Sequence, residues 1–122
     1  MDVYKVKAFA RFQRGERLPD SALADAVRRA AAGLVDADLG GGLIKQRVAR
    51  PGQGKRGGYR TILAYRQGYR AVFLFGFAKS ELDNIDDDEL LVLREYGQYW
   101  LSLDDAAIQA ARREGKLTEV VP

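Results

Sequence analysis

Leu43-Ile-Lys-Gln-Arg-Val-Ala-Arg50, followed by Tyr59-Arg-Thr-Ile-Leu-Ala-Tyr-Arg66 and Tyr69-Arg-Ala-Val-Phe-Leu-Phe-Gly-Phe77, is the stretch that decides the fold. Its three runs are rich in β-branched and aromatic residues and are punctuated by glycine, which is the pattern of strands. Gln67-Gly68 separates the last two, a two-residue connection of the kind that closes a hairpin. Three successive antiparallel strands are expected. Side chains two apart share a face, so Ile44 and Val48 point one way and Lys45 and Arg47 the other. In the next run Arg60 and Arg66 share a face with Ile62 and Ala64, opposite Thr61, Leu63 and Tyr65. Alternation does not say which of these faces is the core. Our reading puts Leu63 and Tyr65 inside and lets Arg60 project into a cleft.

On the N-terminal side, Val3 to Val6 reads as a short strand. Phe9 and Phe12 then share one face of a short helix ended by Gly15. Pro19-Asp20-Ser21 starts a second helix, with Leu23, Ala26, Val27, Ala30 and Leu34 at helical spacing and a stop at Gly33. Gly40-Gly41-Gly42 breaks the chain before the strands. On the C-terminal side, Asp86-Asp87-Asp88-Glu89 stacks carboxylates where the positive end of a helix dipole favours them, which explains the run better than a metal site does. Leu90, Leu93, Tyr96, Trp100 and Leu101 form that helix's apolar stripe. Ser102-x-x-Asp105 matches a capping box for a last helix closed by Gly115, and Leu117 to Val121 reads as either an added strand or a frayed tail. The fold class is α+β, with an N-terminal strand, two helices, a three-stranded meander and C-terminal helices in one domain over 1–122, of which 102–122 is a C-terminal extension.

A chain of 122 residues, 47% apolar and 30% charged, suits a single globular domain. It has no cysteine and no histidine, which removes disulfides, thiolate metal sites and the usual proton shuttle at neutral pH. No metal and no cofactor are expected. The N-terminus lacks a signal-peptide pattern and no apolar run is long enough to span a bilayer, so a cytoplasmic location is expected. Charge is segregated. Between Leu43 and Arg70 lie eight basic residues and no acidic one, whereas the net charge is only +3. Such a patch on an otherwise acidic chain reads as a polyanion site.

Gly52-Gln-Gly54-Lys-Arg-Gly57 matches G-x-G-x-x-G by letter, but strand follows it where a dinucleotide site needs a helix. A P-loop fails too, because Lys55 is followed by Arg56 in place of Ser or Thr. What remains is a glycine-rich connection displaying Lys55 and Arg56, suited to a phosphate backbone together with Arg50 and Tyr59. RNA cleavage without metal needs a base for the 2′-OH, positive charge for the phosphorane and an acid for the leaving 5′-oxygen. Without histidine, lysine is the substitute. Crowding Lys45 against Arg47 and Arg60 favours its neutral form, while the arginines keep their protons and stabilise charge.

Gly41-Gly42-Leu43-Ile-Lys45-x-Arg47-Val48, Gly-x-Gly-Lys55-Arg56-Gly57-Gly58-x-Arg60 and Phe75-Gly-Phe77-Ala-Lys79-Ser-Glu81 together resemble the RelE superfamily of bacterial toxins, closest to its HigB-type branch. The similarity spans roughly Val3 to Tyr96 and implies a ribosome-dependent mRNA endonuclease. Its implied partners are the ribosome, mRNA and a cognate antitoxin of helix-turn-helix type. By position, Lys45 and Arg47 match the basic pair on the second strand, Arg60 the arginine that holds the scissile phosphate, and Lys79 the lysine closing the fourth strand. The chain departs from the prototype at Ser80, where an arginine is expected, and at Asp86, where a base-stacking tyrosine is expected. Arg56, Lys55 or Tyr59 are the substitutes at hand. Two other readings are a noncatalytic RNA-binding module and a gyrase-poisoning toxin of the ParE-like branch.

Overall fold

Residues that alternate in sequence sort onto the two faces of one sheet, built from β1 (Asp2–Val6), β2 (Ala37–Gly40), β3 (Leu43–Arg50), β4 (Gly54–Arg66), β5 (Arg70–Ala78) and β6 (Leu117–Glu119) in the order β2-β3-β4-β5-β1-β6. The computed structural model describes residues 1–50, 54–78 and 85–122, without the side chains of 54–57 and 78. Strands β2 to β5 are antiparallel neighbours, β1 joins β5 in parallel and β6 joins β1 antiparallel. Helices α1 (Lys7–Gly15) and α2 (Asp20–Ala31) follow β1, and α3 (Asp87–Ser102) and α4 (Asp105–Arg113) precede β6.

Both faces of β4 are core. Thr61, Ile62, Leu63 and Ala64 are all fully buried because helices cover the sheet on each side, which is why alternation within this strand was ambiguous. On one face, Phe9 of α1 packs 5.1 Å from Phe73, and Phe12 meets Tyr59 edge-on at 5.4 Å. On the other, Gly97 brings α3 down onto Leu43, Ala64 and Leu74; a Cβ there would lie 3.3 to 3.8 Å from their side chains. Leu63 is in the core as expected, whereas Tyr65 is only half-buried.

Several local expectations are corrected. The hairpin between β4 and β5 has three residues, Gln67 to Tyr69, since Arg66 pairs with Arg70. Helix α1 does end at Gly15, but Arg17, at φ 55°, makes the left-handed turn that sends Leu18 N–H back to the Gln13 carbonyl. Leu34 lies beyond α2 and is 63% exposed; Gly33 turns the chain and Leu34 N–H bonds the Arg29 carbonyl. Ser102 belongs to α3 and donates to the Tyr99 carbonyl at 3.0 Å, so the cap of α4 is Asp104, which accepts from Ala107 N–H at 2.8 Å. Gly115 does close α4. Strand β2 was not expected; three consecutive left-handed glycines, Gly40 to Gly42, turn it into β3. Residues 102–122, read as an extension, supply core groups: Ile108, Leu117 and Val120 are buried and β6 hydrogen-bonds β1.

Polar groups lock these layers. Gln46 is fully buried on β3, donating to the Ala26 and Leu34 carbonyls at 3.0 Å and accepting from Asp36 N–H at 2.9 Å, and so binds α2 to the sheet. Lys5 bridges Gln13 at 2.7 Å and Asp20 at 2.9 Å, while Val121 N–H reaches the other Asp20 oxygen at 2.9 Å.

Candidate nucleic-acid interface

Of the eight cations between Leu43 and Arg70, the six whose side chains are described do not form one patch. Strand register sorts them. Arg47 and Arg60 are direct cross-strand partners on β3 and β4, and Lys45 is paired with Ile62. Directly opposed residues share a face, so Lys45, Arg47 and Arg60 stand together on the side that carries α3. Strand geometry puts the Cα atoms of Arg47 and Arg60 about 5 Å apart and Lys45 diagonally across from Arg60 at roughly 7 Å. Arg47 is exposed and the other two are half-buried. Among the described residues, none of the three side chains takes part in an ion pair.

The backbone around Arg47 is anchored from outside the strand. Its N–H donates to Asp36 at 2.6 Å, and its carbonyl accepts from the Arg29 guanidinium. This fixes the strand while leaving the Arg47 guanidinium free of those bonds. Gln46 holds the same segment from the buried face.

Beside the cations lies an aromatic surface that the sequence reading did not single out. Phe77 is the cross-strand partner of Arg60 on β5, and Phe75 is that of Ile62. The two rings are stacked, 6.3 Å apart and inclined by 30°, and Phe75 leads to Tyr96 of α3 at 6.1 Å. The signal was present as two phenylalanines at i, i+2 spacing in Phe75-Gly-Phe77, which a strand puts on one face. A half-buried ring next to a guanidinium can take a nucleobase while the cation takes its phosphate.

Other expected RNA-binding residues lie elsewhere. Tyr59 is 2% exposed on the opposite face, packed against Phe12, so its ring is not open to a base. Burial pushes its hydroxyl pKa up, and the Glu16 carboxylate adds to this. Arg50 lies over the Tyr59 ring at 5.3 Å, on that same opposite side. Arg70 is buried and caps α3 from β5, donating to the Trp100 and Leu103 carbonyls at 2.9 and 2.8 Å. That placement puts a cation at the negative end of a helix whose last turn has no basic residue of its own. Arg66 is exposed and lies 5.3 Å from the Tyr69 ring at the hairpin.

The glycine-rich connection is shorter than expected, because β4 begins at Gly54, paired with Arg50. The side chains of Lys55 and Arg56, and all of Lys79 and Ser80, lie outside the described residues. Asp86, at the position where a stacking tyrosine was sought, is the N-cap of α3 and accepts from Glu89 N–H at 2.8 Å. Asp87, Asp88 and Glu89 fill the first turn, so the acidic run serves the helix start.

The arrangement can hold an extended polyanion with a base beside it. The family model described as the RelE toxin of the RelE / RelB toxin-antitoxin system matches residues 1–120. No curated protein matches the chain.

Proposed function

The chain belongs to the RelE toxin family of toxin-antitoxin systems, and from that premise we propose that it is an mRNA endonuclease of the HigB-type branch that works in the ribosomal A site. The observation that carries this reading is the pairing of Arg47 with Arg60 on one sheet face, with Lys45 two residues along. Three cations drawn together, with no carboxylate bridging them among the described residues, repel one another unless a polyanion sits between them.

In the proposed reaction the RNA 2′-oxygen attacks the adjacent phosphorus. Its proton passes to Lys45. The P–O5′ bond breaks, and the 5′-oxygen takes a proton from Lys79, leaving a 2′,3′-cyclic phosphate and a 5′-hydroxyl. Arg60 grips the nonbridging oxygens in a bidentate contact and Arg47 adds charge for the phosphorane. Phe77 supplies the stacking surface for a neighbouring base. The ribosome orients the 2′-OH in line and so contributes the entropic part of the rate, which suits a site without histidine. A helix-turn-helix antitoxin is the proposed cognate partner.

Controlled expression without the antitoxin tests the reading: translation should stop, with mRNA cut at codons occupying the A site. Intact mRNA with gyrase-linked DNA breaks would transfer the protein to the ParE-like reading. Normal growth with abundant folded protein would leave a noncatalytic RNA-binding module.

A further inference from the structure

The outer face of α1 carries Lys7, Arg11 and Arg14, with Arg17 just past its end, and all four are exposed. Their i, i+4, i+7 spacing aligns the three helical cations in one stripe about 10 Å long. The buried face of the helix is Phe9, Ala10 and Gln13, so the stripe points away from the sheet. Among the described residues, none of the four takes part in an ion pair.

Helix stability does not account for this stripe. Helices α2, α3 and α4 each have an acidic residue in the first turn, as the positive end of the dipole favours. Helix α1 opens on Lys7, with no acidic residue in its first turn and no side-chain cap. Arg14 in the last turn suits the dipole; Lys7 opposes it. Arg17 holds φ 55°, the only positive φ among the described non-glycine residues, at a position where glycine would relieve the strain. A cavity of about 310 Å³ opens beside it, lined by Lys5, Gln13, Arg14, Arg17 and Thr118 among others; among the described residues no carboxylate lines it, and Asp20 lies behind Lys5 and Gln13, which it binds. Lys5 is already paired with Asp20 at 2.9 Å, so Arg14 and Arg17 are the cations this cavity offers.

We propose that the α1 stripe and this cavity form a second RNA-docking surface, which binds the phosphate backbone of structured ribosomal RNA. It faces away from Lys45, Arg47 and Arg60, on the other side of the sheet. The inference rests on the proposed ribosomal action and adds a division of labour: one face holds the body on ribosomal RNA while the other receives the mRNA. Phosphate is favoured over an acidic protein segment because α1 presents no exposed large apolar residue. A protein interface needs apolar anchors at its centre, whereas nucleic-acid affinity is dominated by phosphate contacts.

The test is a combined Lys7→Gln, Arg11→Gln, Arg14→Gln and Arg17→Gly variant, with its folding checked by thermal melting. Binding to purified ribosomes is measured across a salt series beside binding to a short single-stranded RNA and to the antitoxin. At roughly 0.9 per phosphate contact on a duplex, losing three contacts makes the log-log salt slope for ribosomes shallower by about 2.7. A fourfold rise in salt then weakens the wild type about 40-fold more than the variant. Affinity for the short RNA should stay at the wild-type level. An unchanged ribosomal slope overturns the proposal, and so does an unchanged slope with lost antitoxin affinity, which would give the surface to an acidic protein segment. A wild-type protein with no affinity for ribosomes would instead overturn the ribosomal reading itself.

Discussion

Arg60→Gln should separate stability from activity in opposite directions. Arg60 stands directly across from Arg47, and neither side chain has an ion-pair partner among the described residues. Like charges opposed on a sheet cost about 0.2–1 kcal/mol, and Gln removes that repulsion while keeping most of the side chain's bulk beside Phe77. Stability should therefore hold or rise by up to about 1 kcal/mol, which is about 4 °C for a chain of this size. Cleavage should move the other way. Losing a preorganised charge contact to the phosphorane costs about 3–4 kcal/mol, a rate loss of roughly a hundred- to a thousandfold. Arg60→Lys should recover little, because an ammonium cannot reproduce the planar fork of two hydrogen bonds. Melting temperature and A-site cleavage are to be measured on the same purified samples. A folded Arg60→Gln protein that cuts at the wild-type rate removes Arg60 from the chemistry. One that loses stability along with cleavage makes Arg60 a structural tether.

Other outcomes follow from the packing. Arg70→Met should destabilise by about 3 kcal/mol, because it leaves the Trp100 and Leu103 carbonyls without their charged donor; an unchanged denaturant midpoint would refute the capping role. Gln46→Leu should cost about 1–2 kcal/mol, because it removes the buried bond to the Ala26 carbonyl and the part-buried bonds to the Leu34 carbonyl and Asp36 N–H, again read by denaturant unfolding. Burial works against the Asp20 carboxylate, but hydrogen bonds from Gln13, Lys5 and Val121 N–H outweigh it and hold its pKa below the ordinary value. As pH falls through that range the unfolded chain takes up the proton first. Stability present at neutral pH should thus decline below about pH 4, and Asp20→Asn should lose part of that acid dependence in melting curves taken from pH 6 to 3.

How much of this was legible depended on whether a local rule or a distant partner made the decision. Strand β3 was read with its observed bounds because Gly42 and the alternation after it are local signals. The start of α2 at Asp20 and the stop at Gly33 were local too. Ser102 failed as a cap because two nearby residues could each begin the helix, and the extended backbone at Leu103 gave the place to Asp104. Strand β6 could not be decided from Leu117 to Val121 alone. Its pairing with β1 joins residues more than 100 positions apart, and composition carries no trace of that register. The same holds for Arg70, which looks like a patch cation in sequence and is a buried cap in space.

The site itself shows why a charge count overstates what a patch can do. Eight cations in 28 residues suggest one surface, yet the two-residue period of a strand sends neighbours to opposite sides of the sheet. Only register says which of them meet. On the α3 side, the close contact of Gly97 with Leu43, Ala64 and Leu74 makes that part of the face core. Two residues further along each strand the same face holds Lys45 and Ile62, and then Arg47 and Arg60. Between them a bulge at Ile62/Leu63 shifts the pairing with β5, so that Leu74 faces the helix while Phe75 and Phe77 line up with Ile62 and Arg60. The bulge leaves one β5 residue without a partner on β4 and so reverses, relative to unbroken alternation, the facing of everything beyond it. Without it, Phe77 would fall on the α1 side, and Arg60 would have no ring beside it on β5. The aromatic neighbour of Arg60, the arginine proposed to hold phosphate, is thus a consequence of the shifted pairing between β4 and β5, a feature that no motif in the sequence marks.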